Sequence, residues 1–459
     1  MIDLIRYDRT HRDKDGHPPW GELARFARLR VRNFSHQTTT SYTKPQVLKM
    51  ASMNLTIGNL AGTGDYSHVT FREATKIPAD VRNHMPDYSM AIPLLLSYTF
   101  PTVVDVAVAL PRPTTSITDV RVSKTVNGIF TAPIPPRKWR FDLEVALRDL
   151  WASHQDVSSI RHPTSQDLYL PLWAFEFWDE MVQAIEQQKY WKRALTWVMS
   201  WQDGPERARV IELFGSISWG MEIGVTSSSD SDPFIGNISN FLTFDWLGET
   251  HMDVAADVFN VTGPQEWWVC SASFVNYLQL LFKDGPGKMG ENPLLKTTMQ
   301  SVVSRNVRYI MFPVNIDNVH WVVAHVDLQK HEYTYGMLSH SNRRMPSRSP
   351  TPPYTPGDSL GVDRSATLAN LDAALEAWLN PIYDTVFICR GWTVPIGNQD
   401  DGSSCGACVL NAIDHAIFGT PLFTPNDRHL VRMGLFAKVV GRLLDTVGTL
   451  RISLAVVDY

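Results

Sequence analysis

Gln399-Asp400-Asp401-Gly402-Ser403-Ser404-Cys405-Gly406-Ala407-Cys408 runs straight into Val409-Leu410-Asn411-Ala412-Ile413-Asp414-His415-Ala416-Ile417-Phe418. The first ten residues are polar and carry a glycine where a turn needs one. The next ten repeat apolar side chains at helical spacing. This junction predicts a helix whose first turn holds Cys405. Backbone N–H groups and the positive end of the helix dipole converge there and favour a thiolate over a thiol. A thiolate performs acyl chemistry only with a base and an oxyanion site beside it, so the chain must be searched for both.

Composition narrows that search. The 459 residues are 44% hydrophobic and 19% charged, with a net charge of −5. That describes a globular protein with ample core and no basic footprint for nucleic acid. Four cysteines (Cys270, Cys389, Cys405, Cys408) do not make a disulfide scaffold and suit a reducing compartment. Met1 to Arg9 lacks the apolar stretch of a signal peptide. The most apolar window, Ala91 to Leu110, is interrupted by Pro93, Pro101 and Asp105, and reads as buried strands rather than a membrane span. The expectation is a protein of the nucleus or cytoplasm that does not contact a membrane.

Along the chain, 1–225 reads as an N-terminal region of unknown fold and function. Trp20 to Arg32 suits one short basic helix. Residues 171 to 201 form its clearest helix, with Trp173, Phe177, Met181 and Ile185 at steps of four; such a stripe is read as core. The Ser/Asp-rich 226–236 reads as a linker, and with Ile223-Gly224-Val225 it also suits strand addition to a partner. From 237 to 459 the pattern is α/β. Helices are expected opening at Trp246 to Asp253 and over Phe274 to Phe282. Strands are expected at 307–314, at His320 to Asp327 and at Glu332 to Tyr335. Residues 337–357, rich in Pro, Ser and Arg, read as a disordered insertion. A helix from Ser365 to Leu379 and a strand over Thr385 to Ile388 lead back to the Cys405 turn.

Four pieces therefore stand in chain order: His320-Trp321, Asp358-Ser359-Leu360, Gln399 and Cys405-Gly406. Together with Phe312-Pro313-Val314-Asn315 ahead of His320-Trp321, and Gln399 six residues before Cys405, this order resembles the Ulp1-like, SUMO-specific (sentrin-type) family of cysteine proteases over roughly residues 235–459. The resemblance implies an α+β, papain-like domain with a mixed central sheet and the active site between sheet and helices. It implies Cys405 as nucleophile, His320 as general base and then acid, Asp358 as the carboxylate orienting the imidazole, and Gln399 as oxyanion donor. Trp321 and Trp246 would wall a tunnel admitting only Gly-Gly, and the partners would be SUMO or another ubiquitin-like protein and its conjugates.

The sequence departs from the family pattern at the carboxylate. Relatives place the Asp about seventeen residues after the His; here that position is Met337, and Asp358 follows the His by 38. Removing the 21-residue stretch 337–357 restores a spacing of 17, so the stretch looks like an insertion immediately before the Asp, as an unspliced intron would be. Glu249 stands where relatives carry an Asp after Trp-Leu, and Trp267-Trp268-Val269 is a second candidate for the Trp246 role.

Two readings from other classes stay open: an inactive pseudoprotease that binds ubiquitin-like tails, and a dithiol oxidoreductase using Cys405-Gly406-Ala407-Cys408. No metal or cofactor is expected, because Cys270 and Cys389 do not complete a ligand set at metal spacing. Asp400 and Asp401 read as a solvated turn.

Overall fold

A computed structural model describes residues 75–103, 129–130, 132–152, 159–162, 169–221, 235–285, 292–336 and 366–457. The expected helix at Trp20 to Arg32, most of the 226–236 linker, the 337–357 insertion and Asp358 lie outside the described residues.

Five strands form one mixed sheet in spatial order β3-β4-β5-β6-β7: β3 Trp267–Val269, β4 Tyr309–Ile316, β5 His320–Asp327, β6 Glu332–Gly336 and β7 Ile388–Trp392. β4, β5 and β6 run antiparallel, while β3 on β4 and β7 on β6 are parallel. β4 and β5 meet in a tight hairpin. Asp317 and Asn318 take φ of 52° and 58°, and Val319 N–H returns to Ile316 C=O at 3.0 Å. Two consecutive left-handed residues match the right-handed twist of the strands, and Asp and Asn are side chains that tolerate them. The turn fixes the register that pairs Ile316 with His320 and Asn315 with Trp321, so His320 heads its strand at the end of the sheet.

β5 is apolar on both sides, as a strand covered on both faces must be. Trp321 and Val323 face one core together with α7 (Glu249–Thr262), α11 (Cys405–Phe418) and α12 (Arg428–Val457). Val322, Ala324 and Val326 face a second core with α8 (Ala272–Asp284), α9 (Pro293–Ser304) and α10 (Ala366–Tyr383). The α+β expectation with a mixed sheet holds.

The first core does not stop at the Ser/Asp-rich stretch. α4 (Ala174–Met199) and α5 (Pro205–Ser216) contribute Trp191, Val198, Val210 and Phe214 to it, beside Phe241 and Phe436. Trp191, Phe214 and Phe436 make a three-way edge-on cluster with centroids 5.3 to 6.3 Å apart, a preferred arrangement of aromatic quadrupoles. Ahead of α4 lie α1 (Ala79–Arg82), α2 (Ile92–Ser97), α3 (Arg137–Ala152) and the β1–β2 hairpin (Ser159–Arg161, Tyr169–Pro171); α6 (Ile235–Ile238) and a 3₁₀ turn (Ser239–Leu242) follow α5.

Two element expectations need correction. Within the expected strands of Ala91 to Leu110, Ile92–Ser97 is helical, with Pro93 in the first turn, where a missing N–H costs nothing, and Ile92 and Leu95 buried three apart; residues 104–110 lie outside the described residues. The last strand begins at Ile388, where Thr385 to Ile388 was expected. Among the described residues no helix is long and apolar enough to cross a membrane, and no group of three His, Cys, Asp or Glu could hold a metal.

Candidate active site

Cys405 is the first residue of α11, as the turn-to-helix junction predicts, and is 1% exposed. The turn before it is more constructed than a solvated loop. Asp401 accepts from the N–H groups of Ser403 (2.8 Å) and Ser404 (2.7 Å) and from the Ser404 hydroxyl (2.7 Å). Arg428, at the start of α12, bridges Asp401 at 3.0 Å and Asp400 at 2.7 Å. Asp401 therefore ties together the turn that ends at the helix cap, Ser404. Burial works against its charge, but the Ser404 hydroxyl, the two amides and Arg428 outweigh burial and hold the carboxylate below its ordinary range. The expectation of a solvated turn fails for Asp401, whose side chain is mostly covered.

The nucleophile candidate meets the sheet at one peptide. The backbone N–H groups of Trp321, Gly406 and Cys405 itself all favour the charged form of the Cys405 thiol. The Trp321 N–H belongs to the peptide that joins His320 to Trp321, and the start of α11 packs on the strand that begins with the candidate base. His320 is buried at 6% exposure, and Gln399 at 3%. Burial is the larger influence on the thiol and pushes it above its ordinary value; Asp401 adds to this, and the three amides pull the other way. A helix terminus alone predicts a lowered thiol, and a closed, dry surrounding overrides it.

Gln399 is held from behind. Asn398 N–H donates to Phe423 C=O at 3.1 Å, and Asn411 on α11 holds that loop by accepting from Phe423 N–H (2.6 Å) and donating to Pro421 C=O (3.0 Å). The Gln399 Oε1 is buried and has no partner among the described residues.

The tryptophans separate in character. Trp321 is fully buried and donates its indole N–H to Leu247 C=O at 2.8 Å. Trp246, the neighbour of Leu247, is half-buried. Gly406 seals this meeting point: a Cβ there would lie 2.6 Å from Met252 Cε, 3.0 Å from Leu247 Cβ and 3.4 Å from Trp321 Cδ1. The structure thus gathers Cys405, Gly406, Trp321 and the 246–247 segment, with His320 one peptide away. Trp267 and Trp268 sit on β3 at the far side of β4, where Trp267 stacks on Tyr309.

Sequence reasoning missed one residue at this meeting point. Arg432, 1% exposed, donates to the carbonyls of Asn240 (3.1 Å), Asp245 (2.9 Å) and Ser403 (3.5 Å). Nothing in its local sequence marks it, because an arginine at one position of a long helix reads as surface.

A buried cysteine thus opens a helix that packs on the strand beginning with a histidine. Residues 245–348 match the profile of the Ulp1 protease family, C-terminal catalytic domain. Over that stretch the chain is similar to the catalytic domain of the Ulp1 proteases. The matched stretch includes Trp246, His320 and Trp321 and ends before Gln399 and Cys405.

No curated protein matches the chain. Among solved structures, the Ulp1 protease domain in complex with SMT3, the yeast ortholog of SUMO, is 15% identical, with 53% of this chain and 97% of that chain covered at a TM-score of 0.36. The Chaetomium thermophilum Ulp1-like SUMO protease catalytic domain is also 15% identical, with 52% and 90% covered at 0.33. The Xanthomonas campestris effector protein XopD bound to ubiquitin is 19% identical, with 42% and 91% covered at 0.26.

Proposed function

We propose that this chain hydrolyses the peptide or isopeptide bond that follows the C-terminal Gly-Gly of SUMO or another ubiquitin-like modifier. The observation that supports the reading is the packing of the start of α11 on the strand that begins at His320: a Cβ on Gly406 would lie 3.4 Å from Trp321 Cδ1. It brings together two elements whose candidate nucleophile and base are 85 residues apart in sequence.

The chemistry balances with the chain's own groups. His320 takes the thiol proton as Cys405 Sγ attacks the glycine carbonyl carbon. The C–N bond breaks, the amine leaves with the proton from the imidazole, and a thioester remains. Water, giving its proton to His320, then attacks the thioester and releases the modifier's carboxylate and the thiol. On this reading Asp358 supplies the carboxylate that orients the imidazole. The developing oxyanion is met by the Cys405 N–H and by the Gln399 amide, whose loss costs about 100- to 1000-fold in rate. A raised thiol suits transfer of its proton to His320 when substrate seats, rather than a standing thiolate.

The test is cleavage of a modifier bearing a C-terminal fusion, together with labelling by the same modifier ending in a Gly-Gly electrophile. Cys405→Ser is expected to abolish both, while Cys408→Ser leaves most of the activity. Equal loss in the two variants would favour the dithiol reading. Against that reading, Cys408 is fully buried, and burial pushes its thiol well above the ordinary value, whereas an exchanging dithiol needs an accessible, low-pKa member. The pseudoprotease reading draws on the closure of the site, since Cys405 is nearly inaccessible. Binding of the modifier with no covalent adduct would establish it.

A further inference from the structure

Among the described residues, Arg432 is the one buried guanidinium that touches both halves of the candidate site. From α12 it reaches the carbonyls of Asn240 and Asp245 on one side and of Ser403 on the other. Asp245 immediately precedes Trp246, and Ser403 stands two residues before Cys405. The substrate-wall segment and the nucleophile turn are otherwise remote in sequence.

A guanidinium is a rigid planar fork of five donors, so three carbonyls held by one fork are held in fixed relation to each other. Burying a cation among carbonyls carries a large desolvation cost. Burial lowers the Arg432 pKa to about 10, while Asp401, Cys408, Asp245 and Cys405 act to hold it up. A leucine or methionine would fill the same space without that cost, so packing does not explain the residue.

Resting on the proteolytic reading above, we propose that Arg432 is a positioning residue: it locks the 240–246 wall and the 401–405 turn in one register, so that a glycine carbonyl seated against Trp246 meets the Cys405 sulfur. The wall has a second tie to the N-terminal helices, through the ion pair of Arg193 with Asp245, but only Arg432 joins wall and turn by a single side chain among the described residues.

The experiment compares wild type with Arg432→Lys, which keeps the charge and loses the fork. Two rates are read: turnover of the modifier fusion, and alkylation of Cys405 by iodoacetamide, which needs no seated substrate. Register errors of an ångström cost up to about 100-fold. The expected result is a fall of about tenfold or more in kcat, with alkylation within about threefold of wild type and one cooperative melt. Arg432→Ala with added ethylguanidinium is the second arm; recovery of turnover that ethylammonium does not reproduce is expected.

Undiminished turnover in Arg432→Lys overturns the proposal. So does an equal fall in turnover and alkylation, which would make Arg432 a support of the thiol or of folding only. If the lysine variant fails to fold, absence of ethylguanidinium rescue in the alanine variant overturns it. If wild type itself neither cleaves nor labels, the proteolytic reading is what fails, and this inference goes with it.

Discussion

At Gly406 the chain permits no side chain. The neighbour 2.6 Å away is the flexible end of Met252, which can swing aside, but Leu247 Cβ at 3.0 Å is fixed to backbone. Gly406→Ala is therefore expected to cost about 1–3 kcal/mol of stability by overpacking and to reduce turnover by shifting the helix start. Thermal melts and fusion cleavage check both.

Asp401 makes a second prediction. Its folded pKa is depressed, so its contribution to stability is complete above the unfolded carboxylate value of about 4 and is lost as pH falls through the lower folded value. Asp401→Asn is expected to lower the melting temperature at neutral pH and to flatten its decline below about pH 4. Equal slopes in variant and wild type would contradict this.

What the sequence discloses at this scale is uneven. Cys405 and His320 are legible because a helix start and a strand start have local signatures. Arg432 is not, because its partners are backbone carbonyls almost 30 to nearly 200 positions away. The raised Cys405 thiol is not legible either, because burial is a property of the packed whole.

At the scale of elements, the strands that periodicity predicts most clearly are the central ones. His320 to Asp327 is matched residue for residue, and Glu332 to Tyr335 extends by one. Their apolar runs are long because both faces are covered. The edges are harder to read: β3 has three residues, and β7 alternates exposed and half-buried positions, so neither presents a buried-strand signature.

The stripe on α4 is core, as its spacing suggests, with Phe177, Met181 and Trp191 fully buried. What the spacing could not say is which core. Trp191 packs on Phe436 of α12, and Trp201, just beyond α4, stacks on His429 at 4.1 Å. Trp191→Ala is expected to cost about 3–5 kcal/mol and to destabilise the protease elements with it, giving one transition in a melt. A chain of residues 235–459 alone would expose Phe241 and Phe436 and is expected to aggregate or unfold. Normal cleavage by that shorter chain would show that α4 and α5 are dispensable.

For the molecule as a whole, a mixed sheet carries two cores, and the candidate site lies where one end of the sheet meets the start of α11 and the 246–247 segment. Asp358, the expected third member, lies outside the described residues, and its part in the site is tested by removal of its neighbours. Closing a loop costs only about 0.6 kcal/mol more per doubling of length, so deletion of 337–357 is expected to leave turnover unchanged or improved, whereas Asp358→Asn lowers it steeply. Loss of turnover on deleting the segment would mean that it has a role of its own.

The most direct measurement is mass spectrometry of the adduct formed with a SUMO or ubiquitin probe ending in a Gly-Gly electrophile, in wild type and in His320→Gln. The account predicts one adduct, on Cys405, formed far more slowly in the histidine variant. An adduct on Cys408, or on Cys405 at the same rate without His320, would contradict it.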